Sequence, residues 1–186
     1  MECHLNAAEK ASRFEAIALP HLDAAYNLAR WLTRNDQDAE DLVQMAYLRA
    51  YRFLDGFRGG DGRAWLLTIV RNIYYTSLRD HRHERANACF DEQLHGRDDD
   101  ELDTSSYGVG ANPEALLAHK DARGAVDRAL QRLPQNFREV IVLKEMDELS
   151  YKEIAEIVGV PIGTVMSRLA RARKLLLGYL RDASGE

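Results

Sequence analysis

Apolar side chains recur at helical spacing along most of the chain. Over residues 9–33, Phe14, Ile17, Leu22, Ala25, Leu28 and Leu32 fall on one face; Pro20 interrupts them, which predicts a short helix, a bend and a longer helix. The polar break Asn35-Asp36-Gln37-Asp38 ends in an expected helix cap, Asp38, and opens a helix over 39–53 with Leu42, Val43, Ala46, Tyr47 and Ala50 inward. A glycine-rich loop, 57–63, precedes a third helix over 64–83, built on Trp65, Leu66, Ile69, Val70 and Ile73. Residues 86–112 keep no helical period. Pro113 and Glu114 then start a helix over 115–133, Leu133-Pro134 breaks it, and a short helix over 137–145 buries Val140, Ile141, Val142 and Leu143. No strand is predicted.

The stretch 150–177 is the most specific. Ser150 and Glu153 have the spacing of a capping box, in which the hydroxyl takes an amide of the first turn and the carboxylate reaches back to the cap. Ile154, Ile157 and Val158 give that helix one apolar face, and Gly159 ends it in a left-handed turn that only glycine adopts without a Cβ penalty. Pro161 opens the next helix, where its missing N–H costs nothing. Val165, Leu169, Ala172 and Leu176 make its inner stripe, while Thr164, Met166, Ser167, Ala170, Arg171 and Lys174 lie on or beside the outer face. Short side chains early and long cations later suit close entry into a DNA major groove, so the pair of helices reads as a helix-turn-helix.

Charge looks at first unsuited to that partner, because the 186 residues carry a net −5. Dividing the chain removes the difficulty. Residues 1–85 hold 12 acids and 12 bases, and 113–186 hold 11 and 12, whereas 86–112 hold 7 acids and one base. The excess therefore sits in the middle segment, where the run 98–103 has five acids in six residues and keeps itself extended by repulsion. The expected architecture is all-α: one helical domain over 1–85, a flexible acidic linker over 86–112 and a second helical domain over 113–186. No apolar run spans a bilayer and the start lacks a signal-peptide pattern, so membrane insertion is not expected. Two distant cysteines, Cys3 and Cys89, fit a reducing cytoplasm. His81, His83, Cys89 and His95 match no structural zinc spacing, and no phosphate loop or nucleophile–base pair appears; neither metal, cofactor nor enzymatic activity is expected.

The first domain narrows the function. Asp38-Ala39-Glu40-Asp41-Leu42-Val43-Gln44, Ala50-Tyr51-Arg52, Phe57-Arg58-Gly59 and Trp65-Leu66-x-x-Ile69-x-x-Asn72 occur in order, followed downstream by Leu133-Pro134 and Leu149-Ser150-Tyr151-x-Glu153-Ile154-Ala155. With these motifs the chain resembles the extracytoplasmic-function (ECF) sigma factors of bacterial RNA polymerase, over residues 40–85 and 113–178. The resemblance implies a non-enzymatic factor that binds core polymerase, recognises promoter DNA and is held by an anti-sigma protein. It implies polymerase contacts at Asp41, Gln44 and Met45, the last where many relatives carry an acid. It places the minus-ten element at Phe57, Trp65 and Asn72, which would capture an unstacked base. Arg79, Arg82 and Arg85 would hold its phosphates. Thr76 stands where many relatives have aspartate. The minus-thirty-five element falls to Thr164, Met166, Ser167, Ala170, Arg171 and Lys174; relatives often carry Arg or Lys at Met166, which implies an altered base preference. Tyr74 and Tyr75, being adjacent, are not expected to share a face. A transcriptional regulator that uses its helix-turn-helix without joining polymerase is the alternative.

Overall fold

The computed structural model describes residues 7–87 and 124–184, with side chains over 7–81 and 124–182, and every regular element in it is helical. Helix α1, Ala7–Ala18, passes through a single 3₁₀ turn, Leu19–His21, into α2, Leu22–Thr33. The turn sits at Pro20, where the ring fixes φ and removes a donor. Helix α3 spans Asp36–Phe53, three residues longer at its start than the sequence predicts. Asn35, not Asp38, is its cap: the Asn35 Oδ1 accepts from the Asp38 N–H at 2.9 Å, and Arg34 before it takes the left-handed conformation that stops α2. Helix α4 runs Gly62–Asn87, beyond the predicted end. Asp61 caps it, its carboxylate accepting from the Arg63 N–H at 2.9 Å. At Gly62 a Cβ would come within 2.9 Å of the Ile17 carbonyl oxygen, so α1 closes on this turn only because the side chain is absent.

Alanine dominates the seams between α2 and α3: Ala25, Ala29, Ala39, Ala46 and Ala50 are fully buried, which lets the backbones approach closely around Leu28, Leu66, Leu67 and Val70. Phe14 of α1 meets Tyr47 and Tyr51 edge-on at 5.9 and 5.3 Å. The Tyr47 hydroxyl donates to the Ala18 carbonyl at 2.9 Å, tying α1 to α3.

In the second group, a helix described over 124–132 (α5) leads through Leu133-Pro134 to α6, Gln135–Ile141, which passes into a π-helical turn, Val142–Met146. The sequence predicts one continuous short helix there. The wider turn instead delivers Asp147 to a buried position, and Glu148 follows in the left-handed region at φ 54°. Helices α7, Tyr151–Val158, and α8, Ile162–Ser184, form the predicted helix-turn-helix. The capping box is present in both directions: the Ser150 N–H donates to Glu153 Oε2 at 2.7 Å, and the Glu153 N–H donates to Ser150 Oγ at 3.3 Å. Gly159 is left-handed at φ 69°. Val165, Leu169 and Ala172 are buried as the inner stripe requires, and Leu176 is half-buried. Val126, by contrast, is exposed on α5.

The two groups do not stand apart. Their buried side chains form one continuous apolar cluster, with α4 packed on α7 and α2 on α6. Residues 88–123, which include most of the acidic segment and the expected helix start at Pro113, lie outside the described residues.

Candidate nucleic-acid interface

Three helices carry the residues singled out from the sequence. On α3, burial of Ala39, Leu42, Val43, Ala46 and Ala50 turns Asp41, Gln44 and Met45 to solvent, and Leu48 with them. Met45 is 49% exposed and Leu48 64%, so this face mixes polar groups with a bare apolar patch. Sequence reasoning passed over Leu48. Its signal was the spacing 41, 44, 45, 48, which is the outward stripe of the helix whose inward stripe had been recognised.

On α4 the glycine-rich loop folds against the first two turns. Phe57 and Trp65 meet at 4.8 Å between ring centroids, their planes tilted by 39°, and, with Arg58, Gly59, Asp61 and Thr68, line an open cleft of about 400 Å³. Gly59 and Gly60 have φ of 93° and 109°, a conformation that L side chains rarely adopt. Arg13 of α1 steadies the loop by donating to the Phe57 carbonyl at 2.8 Å. Asn72 is exposed one turn beyond Thr68, outside the lining but on the same strip. At about 100° per residue, Trp65, Thr68, Asn72 and Arg79 fall within about 60° of helix circumference. Arg79 is exposed, with Asp80 4.0 Å away. The backbone of Arg82 and Arg85 continues α4, while their side chains lie outside the described residues.

One wall of the cleft was not legible in the sequence: Glu156 of α7 lines it. Along the flank of α4, Arg71 Nε donates to Glu139 Oε1 at 2.6 Å, and the Tyr75 hydroxyl donates to Glu139 Oε2 at 3.3 Å. Glu139 is 1% exposed. Burial raises its carboxyl above the ordinary range, and the Arg71 guanidinium pulls it back. Burial likewise pushes the Tyr75 hydroxyl up to about 12, and the Glu139 charge adds to it. At the start of α4, Arg63 donates to Asp147 Oδ1 at 3.2 Å; Asp147 is also buried, and burial raises it. Tyr74 and Tyr75, expected to diverge, meet edge-on at 5.4 Å and both turn toward α6, Tyr74 beside the Gln135 amide. Adjacent side chains leave a helix about 100° apart, and a helix crossing opposite the gap between them touches both.

The outer face of α8 is open. Met166, Ser167, Ala170, Arg171 and Lys174 are exposed and Thr164 is half-buried, its carbonyl accepting from the Ser167 hydroxyl at 3.0 Å. Arg173 is occupied by Glu145, at 2.6 Å, which removes it from the reading face. Among the described residues no helix is long and apolar enough to cross a membrane, and no three His, Cys, Asp or Glu side chains gather as metal ligands.

Comparison with known proteins accounts for both groups. Residues 17–84 match the family model Sigma-70 region 2, and 123–176 match Sigma-70, region 4. The chain is similar to the ECF RNA polymerase sigma factor SigW of Bacillus subtilis, 32% identical over 161 residues, covering 86% of this chain and 84% of that one. It is 35% identical over 146 residues to the ECF RNA polymerase sigma-E factor of Escherichia coli, covering 75% of this chain and 72% of that one. With SigE of Mycolicibacterium smegmatis it shares 33% over 174 residues, 93% of this chain but 63% of the relative's length. Among solved structures, the sigma factor RpoE in complex with the anti-sigma factor NepR from Bartonella quintana has a TM-score of 0.68 at 31% identity, covering 90% of this chain and 96% of that one. CnrH, in complex with the cytosolic domain of CnrY, has a TM-score of 0.59 at 26% identity, covering 95% of each chain.

Proposed function

This chain belongs to the ECF sigma factors, which direct RNA polymerase to promoters, and from that premise we propose which of its faces carries each contact. The outward stripe of α3, Asp41, Gln44 and Met45 with Leu48, docks on core polymerase: two hydrogen-bonding groups set the register and the apolar pair supplies buried area. The cleft at Phe57 and Trp65, extended by Asn72, captures a base of the minus-ten element, and Arg79 with Arg82 holds its phosphates. The outer face of α8 reads the minus-thirty-five element. There Ala170 and Ser167 allow close approach, Met166 offers an apolar contact, and Arg171 is placed to reach a base edge. The factor catalyses nothing itself.

The observation that supports this division most is geometric. On α3 Asp41, Gln44 and Met45, and on α8 Met166, Ser167, Ala170, Arg171 and Lys174, lie on the side opposite the apolar core, so the same periodicity that folds the domain aims them outward, whereas Trp65 of the cleft is half-buried against the core. A regulator that never joins polymerase would have no use for the α3 stripe. We place the factor in the cytoplasm, where polymerase works. The boundaries 1–85, 86–112 and 113–186 remain our division of the chain. Since two solved relatives were captured with anti-sigma partners, this chain is expected to take one that covers parts of both domains, including Met45. Hydrogen exchange with and without that partner should then show protection on both sides of the linker; protection of one domain alone contradicts it.

The direct test is transcription in vitro with core polymerase on a promoter library, beside the variant Asp41→Ala, Gln44→Ala. The wild type should select two short elements. The variant should keep its helicity and lose holoenzyme in a pull-down. Undiminished holoenzyme would remove α3 from the assignment.

A further inference from the structure

One edge of the outer face of α8 offers no free polar group. Met166 stands in the second turn of the helix, 49% exposed, and the residues one turn to either side of it are Ile162, Gly163, Leu169 and Ala170. None of the four carries a side-chain donor or acceptor. Leu169 is buried, Ile162 is exposed, and the space over Gly163 is open, with nothing within 4 Å of where a Cβ would stand. Two turns on, about 20° from Met166 around the helix, Arg173 is held by Glu145 at 2.6 Å and brings no free cation to this edge. Ser167, next in the chain, turns its hydroxyl hydrogen back to the Thr164 carbonyl at 3.0 Å. Arg171 leaves the helix about 140° away, so the cationic part of the face meets a different part of the groove.

A base edge that falls against this side of α8 therefore meets carbon and sulfur. In the major groove each base pair shows acceptors and an amino donor, and thymine alone adds an apolar group, its C5-methyl. An acceptor or amino group pressed against Met166 gives up water and gains no partner, whereas a methyl group has no hydrogen bond to lose. Methionine suits the task, because its unbranched, polarizable thioether chain adapts to the surface it meets. Ala170, one turn further on, is exposed and short, which leaves that chain room to lie against the base. We propose that Met166 is a methyl reader: it selects a T·A pair in the upstream element through the thymine C5-methyl, and it accepts 5-methylcytosine, which carries the same group at the same place. The inference rests on α8 being the reader of that element, as proposed above, and adds which base chemistry its apolar edge prefers.

The test uses holoenzyme reconstituted from core polymerase and the full chain, bound to duplex promoters carrying the upstream element selected from a library. Each thymine of that element, on either strand, is replaced in turn by deoxyuridine, which removes the methyl group and leaves the pairing edge intact. Wild-type holoenzyme should lose about fourfold in affinity at one thymine, as expected for burying one methyl group. With cytosine placed at that position, 5-methylation should raise affinity by about as much. Met166→Ala should bind the thymine and deoxyuridine duplexes equally there, whereas Met166→Leu, which keeps a long apolar side chain, should retain the preference. A selected element with no thymine on either strand would overturn the proposal. So would wild-type affinity that no deoxyuridine weakens, or a deoxyuridine loss that persists undiminished in Met166→Ala. Failure of α8 as the reader is seen separately, as wild-type holoenzyme binding the selected element and a scrambled upstream sequence with equal affinity.

Discussion

The faces of α3 and α4 differ in a way their sequences do not advertise. Both helices bury one apolar stripe and present polar groups opposite. On α3 the outward stripe stays open, down to a Leu48 that is 64% exposed. On α4 the equivalent flank is covered by the chain's own second domain, with Arg71 and Tyr75 held by a carboxylate that is 1% exposed. An open apolar patch waits for a partner and needs only encounter. A covered cation must first lose the partner it has.

The largest effect expected on the open side is from Met45→Asp with Leu48→Asp. Burying two such side chains at an interface is worth about 3 kcal/mol, so affinity for core polymerase should fall upwards of a hundredfold with unchanged circular dichroism. If affinity is retained, the patch is not an interface and the contrast with α4 disappears. Next comes Arg171→Ala on the open face of α8. A bidentate base contact gives about 1–3 kcal/mol at one or two base pairs of the upstream element, measured as relaxed selection from a promoter library. A loss spread evenly over all sequences would make Arg171 a phosphate contact and rotate the helix.

A smaller effect tests how that face is held. Ser150→Ala removes one half of the capping box and should lower stability by about 1 kcal/mol in urea titration, without altering base preference. The Ser150 hydroxyl, and then its N–H, hold the Glu153 carboxyl below the ordinary range. A carboxyl lowered on folding adds stability above its unfolded pKa and loses it as pH falls through the lowered folded value. The difference between wild type and Ser150→Ala should therefore shrink on acidification through that range; a constant difference would show that Glu153 plays no part. Smallest in affinity is Arg79→Ala, which should reduce the slope of log affinity against log salt by about one on every sequence. A sequence-dependent loss would instead make Arg79 a reader.

Much of the geometry of the candidate interface was visible in the residues because its causes are local. The capping box, the left-handed Gly159 and the inner stripe Val165, Leu169, Ala172 all act within a few residues, and they fix which side of α8 faces out. Where local signals compete, the sequence misplaced details. Asn35 and Asp38 are both good caps, and the left-handed Arg34 decided for Asn35. The π-helical turn at Val142–Met146 left no periodic trace, since one widened turn hardly disturbs the pattern of Val140, Ile141, Val142 and Leu143.

By itself the sequence determined that the described residues are helical, where most of their helices start, and which stripes of α3 and α8 face outward, because apolar periodicity and capping are properties of neighbouring residues. Only the tertiary structure decided that the two domains close on one another and that Arg71, Tyr75 and Arg63 are already taken. Those contacts join residues 68, 64 and 84 positions apart, respectively, across a segment with no helical period. Nothing in the local pattern distinguishes an arginine that will meet solvent from one that will meet a buried carboxylate of its own chain.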